Sequence, residues 1–427
     1  MIYEKPAVKS FVFLFTVLVL SCVPDLPKDN LKARKNPDGL KIKLTNGNWF
    51  NGENFTKRDV WVDEGLLSFS PISKPMDTVL DLTGKYIIPP FAEAHNHNLE
   101  SAYKLQDRID SYLNNGIFYV KLLSSIKKRI DPLMHHYNKP LGLDVSLAHA
   151  PLTANGGHPI ALRKRYLHYG YFKGLFNTIG DIESHGFFII NNCEDLDNQW
   201  ERILSFGPDF IKIMLLYSEE YEMRKNDTTY FGHKGLNPTV VPEIVKRAHQ
   251  SGLRVSAHVE TTHDFHVAVK AGVDEIAHLP EIDNGKPIAE EHAILAKEKD
   301  VVVTTTVSLV TKKKEKPEYG ELVENIRSNL ILLKKKGVKL AIGSDMYNDN
   351  SLGEFQLLHN LNVFTNLELL KMWTENSAMT IFPNRKIGFL REGYEASFLV
   401  LNKNPLKDIS DITETIEMRV KQGALLK

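Results

Sequence analysis

Residues 86–97 read YIIPPFAEAHNH, and this stretch decides how the rest of the chain is interpreted. Its apolar part is typical of a buried strand, and His95 and His97 follow at the strand end. In a strand, residues i and i+2 point to the same side, so both imidazoles face one point where a single divalent metal ion can bind. Taken alone, the pair fits two surface histidines at a strand end better than a metal site.

Four later apolar segments share this arrangement, because each ends with one side chain that can bind a metal. They are residues 210–215 with Lys212, 253–258 with His258, 273–278 with His278, and 338–345 with Asp345. In a parallel barrel, the carboxyl ends of all strands open on one face, and that face holds the active site. In such a barrel, six side chains from five strands meet at one place.

The order HxH, Lys, His, His and Asp on successive strands resembles the amidohydrolase superfamily, from about Leu40 to the end of the chain. The phrases PDFIK (208–212), GVDEIAH (272–278) and GSD (343–345) are most similar to its imidazolonepropionase- and prolidase-like branch. The resemblance implies an α/β fold, a (β/α)8 TIM-like barrel with a small discontinuous β-sandwich domain formed by both chain ends. Two departures are visible: PPFAEA stands where the first strand usually reads Pro-Gly-Phe-Ile-Asp, and Ala277 stands where Glu is frequent.

The amino-terminal segment resembles an export signal. Lys5 and Lys9 precede the apolar run 11–20, which is too short to span a bilayer and has the length of a signal-peptide core. The next residues, ending at Cys22, resemble a bacterial lipobox, whose cysteine carries the lipid. An ordinary secretory signal with a chance cysteine is the alternative. We expect an exported protein, lipid-anchored to a bacterial membrane on the periplasmic or surface side.

These observations divide the chain into four parts. The prediction is a lipoprotein signal peptide at 1–22, a tether at 23–39, a small β domain from 40–85 and 384–427, and a hydrolase barrel at 86–383. The 53 basic and 53 acidic residues balance, which argues against a nucleic-acid partner. With Cys22 lipidated, Cys193 has no partner for a disulfide, and we expect it to be a small buried hydrophobic residue.

Residues 149–185 follow the third strand and form a long insertion that is aromatic, basic and without a clean helical period. Such an insertion lies on the active-site face and commonly covers it. Related branches carry a Gly-Gly-His in a similar place, so His158 is a candidate for substrate contact. Arg163 or Arg165 could pair with a carboxylate, and Tyr217 is a further candidate in the next loop. Packing of the aromatic residues and solvation of the basic ones explains the composition equally well.

Lys212 is the residue that distinguishes a site for two metal ions from a site for one. A lysine among apolar neighbours is awkward to bury, and a buried lysine loses its proton readily. Its free amine can add carbon dioxide to give a carbamate that bridges two metals, as the resemblance to binuclear members implies. The alternative is a structural lysine paired with an acid. On the binuclear interpretation, His95, His97 and Asp345 bind one divalent metal ion, zinc by default, and His258 and His278 bind the other.

The expected reaction is hydrolysis of a C–N bond in an amide, a peptide or a cyclic amide, dipeptides included. A hydroxide held by two metals attacks, and Asp345 is the catalytic general acid and base. The partners are then a small-molecule substrate and the membrane, and oligomers are compatible with the sequence.

Two alternatives stay open. One is a mononuclear deaminase of a heterocyclic ring. Family members of that kind lack the bridging lysine and usually have Glu three residues after the strand-5 histidine. In this chain, Glu260 comes only two residues after His258. The other is a lipid-anchored binding protein without turnover. A protein that had lost its activity would be expected to lack at least one of the six metal-binding residues, and all six are present.

Overall fold

The computed structural model describes residues 31–280 and 287–426. The predicted signal peptide, its lipobox and Cys22 lie outside these residues. Within them, no helix is long and apolar enough to cross a membrane.

The elements follow one another as strands and helices in the order expected for a barrel. The strands are β1 (Ile42–Phe50), β2 (Phe55–Asp63), β3 (Leu66–Ser68), β4 (Thr78–Asp81), β5 (Tyr86–Ile88), β6 (Phe91–Asn96), β7 (Ile117–Leu122), β8 (Asp144–Leu147), β9 (Leu152–Thr153), β10 (Phe188–Ile189), β11 (Phe210–Met214), β12 (Arg254–His258), β13 (Glu275–Ile276), β14 (Val302–Thr304), β15 (Lys339–Ala341), β16 (Phe398–Leu401), β17 (Ile416–Lys421) and β18 (Ala424–Leu426). The α-helices are α1 (Leu105–Asn114), α2 (Lys127–Ile130), α3 (Ile160–His168), α4 (Ile179–Ile182), α5 (Cys193–Ser205), α6 (Tyr221–Arg224), α7 (Val241–Gln250), α8 (Thr262–Ala271), α9 (Glu290–Glu298), α10 (Tyr319–Lys335), α11 (Ser351–Asn360), α12 (Asn366–Lys371) and α13 (Ser377–Ile381). A π-helical turn, Met372–Asn376, joins α12 to α13, and 3-10 turns cover Asp131–His136, Ser218–Glu220, Thr228–Tyr230, Val307–Lys313 and Ile412–Thr415.

Eight parallel strands close into a barrel in the order β6, β7, β8, β11, β12, β13, β14, β15. Two runs of paired strands, β6 to β8 and β11 to β15, are joined by backbone hydrogen bonds at two seams. At one seam, Asp209 N–H donates to the Leu147 carbonyl at 2.8 Å, and at the other, Ala94 N–H donates to the Ile342 carbonyl at 2.9 Å. Every residue of β6, β7 and β11 is buried, as expected for parallel strands covered on both faces. The predicted TIM-like barrel is confirmed.

Both chain ends contribute to the small β domain. Its strands form one continuous sheet in the order β18, β17, β16, β5, β1, β2, β3, with β4 also paired to β1. The sheet curls back on itself, because Leu67 N–H donates to the Tyr394 carbonyl and Ala396 N–H donates to the Gly65 carbonyl. The predicted small sandwich from both ends is therefore present, and its two layers belong to one curled sheet.

The described end of the predicted tether is fastened to this domain. Lys32 N–H donates to the Asn384 carbonyl at 2.8 Å, and Arg34 N–H donates to Glu395 at 2.9 Å. These contacts hold residues 32–34 against the segment before β16 rather than leaving them as a free linker.

The insertion 149–185, whose sequence has no clean helical period, contains the short helices α3 and α4, and a second apolar cluster, which includes Phe172 and Phe176, packs it.

One local expectation is wrong, because Cys193 is exposed rather than buried. It is the first residue of α5, directly after the capping residue Asn192, and the amphipathic pattern of this helix buries Leu196, Trp200 and Ile203 instead.

Candidate functional site

A cavity of about 1000 Å³ opens at the carboxyl ends of the barrel strands. All six side chains that the sequence analysis singled out for metal binding line it: His95, His97, Lys212, His258, His278 and Asp345. They come from β6, β11, β12 and the segments directly after β6, β13 and β15. The face of the barrel that parallel strands use for their sites therefore carries the residues expected there.

Asp345 lies at the centre of three of the histidines. Its Oδ1 atom is 3.6 Å from Nε2 of His95 and 3.5 Å from Nε2 of His97, and its Oδ2 atom is 3.9 Å from Nδ1 of His278. One ligand atom from each of His95, His278 and Asp345 can be chosen so that all three lie within 4.8 Å of one another, a group that could hold a metal ion. The ring of His258 continues the cluster, with its centroid 4.6 Å from that of His278.

The hydrogen bonds of His95 and His97 fix which ring nitrogen has a free lone pair. Nδ1 of His95 lies 2.8 Å from the Ala277 carbonyl oxygen, and Nδ1 of His97 lies 2.6 Å from Oε1 of Glu100. Both oxygens can only accept, so both Nδ1 atoms carry the proton and donate. In the neutral rings Nε2 is then the acceptor, and it is the atom that faces Asp345. Such outer partners are the usual way in which a protein orients a metal-binding histidine.

Burial keeps most of these imidazoles neutral. It lowers the pKa of His95 and of His278 well below the ordinary value, and the neighbouring charge of Lys212 contributes to both shifts. Burial, with Lys212, lowers the pKa of His258 to about 3. His97 differs: burial opposes its protonation, but the charges of Glu100 and Asp345 raise its pKa. A neutral imidazole is the form that binds a metal ion.

Two buried nitrogens in this cluster make no hydrogen bond with any described residue, Nζ of Lys212 and Nε2 of His258. The closest acid to the second is Glu260, whose Oε2 atom is 3.4 Å away. Burial lowers the pKa of Lys212 to about 7, so the neutral amine is accessible at ordinary pH. A buried polar atom without a partner costs about 1–3 kcal/mol, and such atoms collect where a ligand binds. This donor set fits divalent metal ions.

The position of Asp345 depends on a close approach between β6 and the segment after β15. Asp345 has a positive φ of 51°, and its N–H donates to the His95 carbonyl at 2.9 Å. A Cβ atom on Gly343 would lie 2.5 Å from the backbone nitrogen of His95, so only glycine fits there. Buried Glu93 ties the same two segments, because it accepts from the Ser344 N–H at 2.7 Å.

The three predicted substrate contacts have different outcomes. His158 and Arg163 line the cavity, and the ring of His158 stacks on that of His258 with centroids 5.1 Å apart. Tyr217 is not among the described residues that line it. Its backbone has a φ of 54°, and the guanidinium of Arg224 lies 3.6 Å from its ring centroid, so the side chain packs in its own loop.

Several residues of the site escaped the sequence analysis. Glu100 and the Ala277 carbonyl orient the first two histidines, and Oγ1 of Thr306 lies 3.1 Å from Nδ1 of His278. Glu93 was noticed only as a departure from the usual first strand. A charged residue in the middle of an apolar strand was the available signal for it, since such a residue is buried only with partners.

Comparison with known proteins agrees with this geometry. The model of the amidohydrolase family matches residues 179–425, more than half of the chain, and the chain belongs to that family. Ochratoxinase from Aspergillus niger is 29% identical over 220 residues, which are 49% of this chain and 44% of ochratoxinase. A 5'-deoxyadenosine deaminase from Methanopyrus kandleri is 26% identical over 221 residues, 44% of this chain and 51% of that protein. The chain thus spans about half the length of the curated relatives it matches.

Solved structures share the fold over most of the chain. A prolidase in complex with N-methylphosphonate-L-proline has a TM-score of 0.69 at 21% identity, covering 91% of this chain and 99% of that one. The crystal structure of A. niger ochratoxinase also has a TM-score of 0.69, at 20% identity, covering 91% and 95%. At these identities the likeness establishes the barrel and its appended β domain.

Proposed function

We propose that this chain is a metal-dependent hydrolase of C–N bonds in amides and peptides, dipeptides included. The observation that carries the proposal is the unpaired Lys212 amine, whose pKa burial lowers to about 7 and which lies beside four histidines and Asp345 at the carboxyl end of the barrel. A binding protein without turnover needs no such group. The names of the ochratoxinase and prolidase relatives support the same class of reaction.

In this proposal, two divalent metal ions, zinc by default, are held by the six side chains. His95, His97 and Asp345 would hold one ion, His258 and His278 would hold the other, and Lys212, as a carbamate, would supply a negatively charged ligand to both. The carbamate forms when the neutral Nζ adds to carbon dioxide and releases one proton. When bound, the metals supply an acidic water and polarise a carbonyl oxygen.

The remaining steps belong to the protein side chains. Asp345 accepts a proton from the attacking water and returns it to the leaving nitrogen. Burial raises the pKa of Asp345, with His97 and Lys212 opposing the shift, and a raised value brings a carboxylate closer to the working range of a general base. His158 is placed beside His258, where its ring can contact the substrate.

The test is hydrolysis of a substrate panel by the zinc-loaded protein. We expect release of amino acids from dipeptides and N-acyl amino acids, loss of activity on chelation, and recovery with added metal. Release of ammonia from heterocyclic amines alone would instead favour the mononuclear deaminase, which the deaminase relative keeps as the second candidate. Absence of turnover on both panels with metal bound would contradict the proposal.

We also propose that the chain is exported and lipidated at Cys22. Support comes from the apolar run 11–20, with Lys5 and Lys9 before it and the lipobox-like residues after it. Labelling with a palmitate analogue in bacteria should modify the wild type and Cys193→Ser but not Cys22→Ser. Equal labelling of Cys22→Ser would refute lipidation at this cysteine.

A further inference from the structure

Arg163 reaches from the insertion into the cavity. It lies on α3, is 5% exposed, and its Nη2 atom donates to Oγ of Ser124, which follows β7. Its side chain thus spans from the insertion to the end of the second barrel strand. A buried guanidinium needs an anion or several acceptors to offset its lost hydration.

The described part of the protein supplies only the Ser124 hydroxyl to this side chain. No described carboxylate lies within ion-pair distance of Arg163, and its buried Nε atom makes no hydrogen bond. Glu100, which lines the same cavity, accepts instead from His97. The guanidinium of Arg163 therefore has N–H donors left for a ligand in the cavity.

A second guanidinium lies beside the first. Arg129 is half-buried and lines the same cavity. Burial lowers the pKa of Arg129; the charge of Glu100 opposes this shift and that of Arg163 adds to it. Two guanidinium groups in this cavity wall thus face one carboxylate, Glu100, which also accepts from His97, so the wall keeps a positive charge that favours an anionic group.

We propose that Arg163, assisted by Arg129, binds the α-carboxylate of the substrate, so that the preferred substrates are N-acyl amino acids and dipeptides with a free carboxyl end. This inference rests on the proposed function and names its substrate class. Arg163 acts on His158 through its charge, and His158 stacks on His258. Arg163 and the proposed metal ligands line one cavity, in which a substrate can present its carboxylate to the guanidinium and its scissile amide to the metal-binding side chains.

Arg165 provides a matched control. It is two residues further along the same helix, is exposed, and is not among the described residues that line the cavity. Arg163→Met and Arg165→Met remove the same charge from the same helix, so their difference reports the position rather than the net charge.

The experiment measures equilibrium binding of N-acetyl-L-phenylalanine and of its uncharged amide by calorimetry, with the metal-loaded full chain. Every protein compared below also carries Asp345→Asn, so that hydrolysis during the measurement is slow. Wild type and Arg165→Met should bind the acid at least about 10-fold more tightly than the amide. Arg163→Met should lose this preference and leave amide binding unchanged. Arg129→Met, at a half-buried position that folding tolerates more readily, should reduce the preference by a smaller factor.

Separate outcomes test the two proposals. Equal binding of acid and amide by the wild type, absence of acid binding, or an equal loss of both ligands in Arg163→Met would overturn the role of Arg163. Carboxylate-selective binding without hydrolysis of any amide in the panel would keep that role and contradict the proposed function. Hydrolysis of substrates with an amidated carboxyl end, together with equal binding of acid and amide, would keep the proposed function and overturn the role of Arg163.

Discussion

Two layers of the barrel interior bury a lysine, and they do so in opposite ways. In the layer below the cavity, Lys121 on β7 pairs with Glu275 on β13, and Glu275 also accepts from the hydroxyls of Ser256 and Thr380. At the carboxyl ends, Lys212 on β11 makes no hydrogen bond with a described residue. Both side chains are about 2% exposed.

The difference separates a structural group from a reactive one. Burial alone would favour protonated Glu275, but the charge of Lys121 holds the pKa of this carboxyl below its usual range, so the pair is ionised and complete. Lys212 has no such partner, and burial brings its pKa to about 7. A buried lysine whose partner is supplied within the fold holds the barrel together, whereas one without a partner is available for chemistry. Four substitutions test this contrast.

The largest effect should come from Asp345→Asn, which changes only the upper layer. An amide cannot accept and return the proton, so we expect kcat to fall about 1,000-fold with metal content largely kept. Turnover on the preferred amide and metal analysis of the same sample provide the measurement. Near-normal activity in Asp345→Asn would refute the acid–base role.

Next is Lys121→Met, which breaks the lower layer. It leaves the carboxylate of Glu275 buried without its cation, and removing one partner of a buried pair costs about 3–5 kcal/mol of unfolding free energy. Urea unfolding of the metal-free protein measures this loss. The double variant Lys121→Met with Glu275→Gln should recover part of it, and a loss below about 1 kcal/mol would show that the pair is not structural.

A smaller effect is expected from Glu100→Gln, which loosens one ligand of the upper layer. The amide no longer carries the charge that fixes the proton on Nδ1 of His97, so we expect metal affinity to fall about 10- to 100-fold. Competition with a chelator of known affinity measures this. The same change should leave the unfolding free energy of the metal-free protein within about 1 kcal/mol; unchanged metal affinity would show that Glu100 does not orient His97.

The smallest effect on stability should come from Lys212→Met. Replacing a buried, unpaired amine by an apolar chain of similar length removes a desolvation cost, so the metal-free protein should keep its unfolding free energy or gain about 1 kcal/mol. Compared with the loss of unfolding free energy expected for Lys121→Met, this result would show that the lysine of the lower layer stabilises the fold and that Lys212 does not. A loss of 3 kcal/mol or more would make Lys212 structural.

The sequence was sufficient to predict the barrel and the six-residue cluster, because each of those side chains lies in or shortly after a short apolar strand and parallel strands gather their ends on one face. The partners that orient them were not predictable in this way. The Ala277 carbonyl and Glu100 reach His95 and His97 only after the barrel closes. The positive φ of Tyr217 and its contact with Arg224, away from the residues that line the cavity, were not visible in the sequence either. Cys193 was expected to be buried because of its residue type, but it is exposed.

The central claim is that Lys212, unlike Lys121, takes its partner from outside the chain. The most direct measurement is metal stoichiometry together with the mass of the intact wild-type protein, prepared with zinc and bicarbonate and compared with Lys212→Met. We expect two metals per chain and one added carbon dioxide in the wild type, and neither the added carbon dioxide nor the second metal in the variant. Two metals without the added carbon dioxide, or one metal in both proteins, would contradict the account.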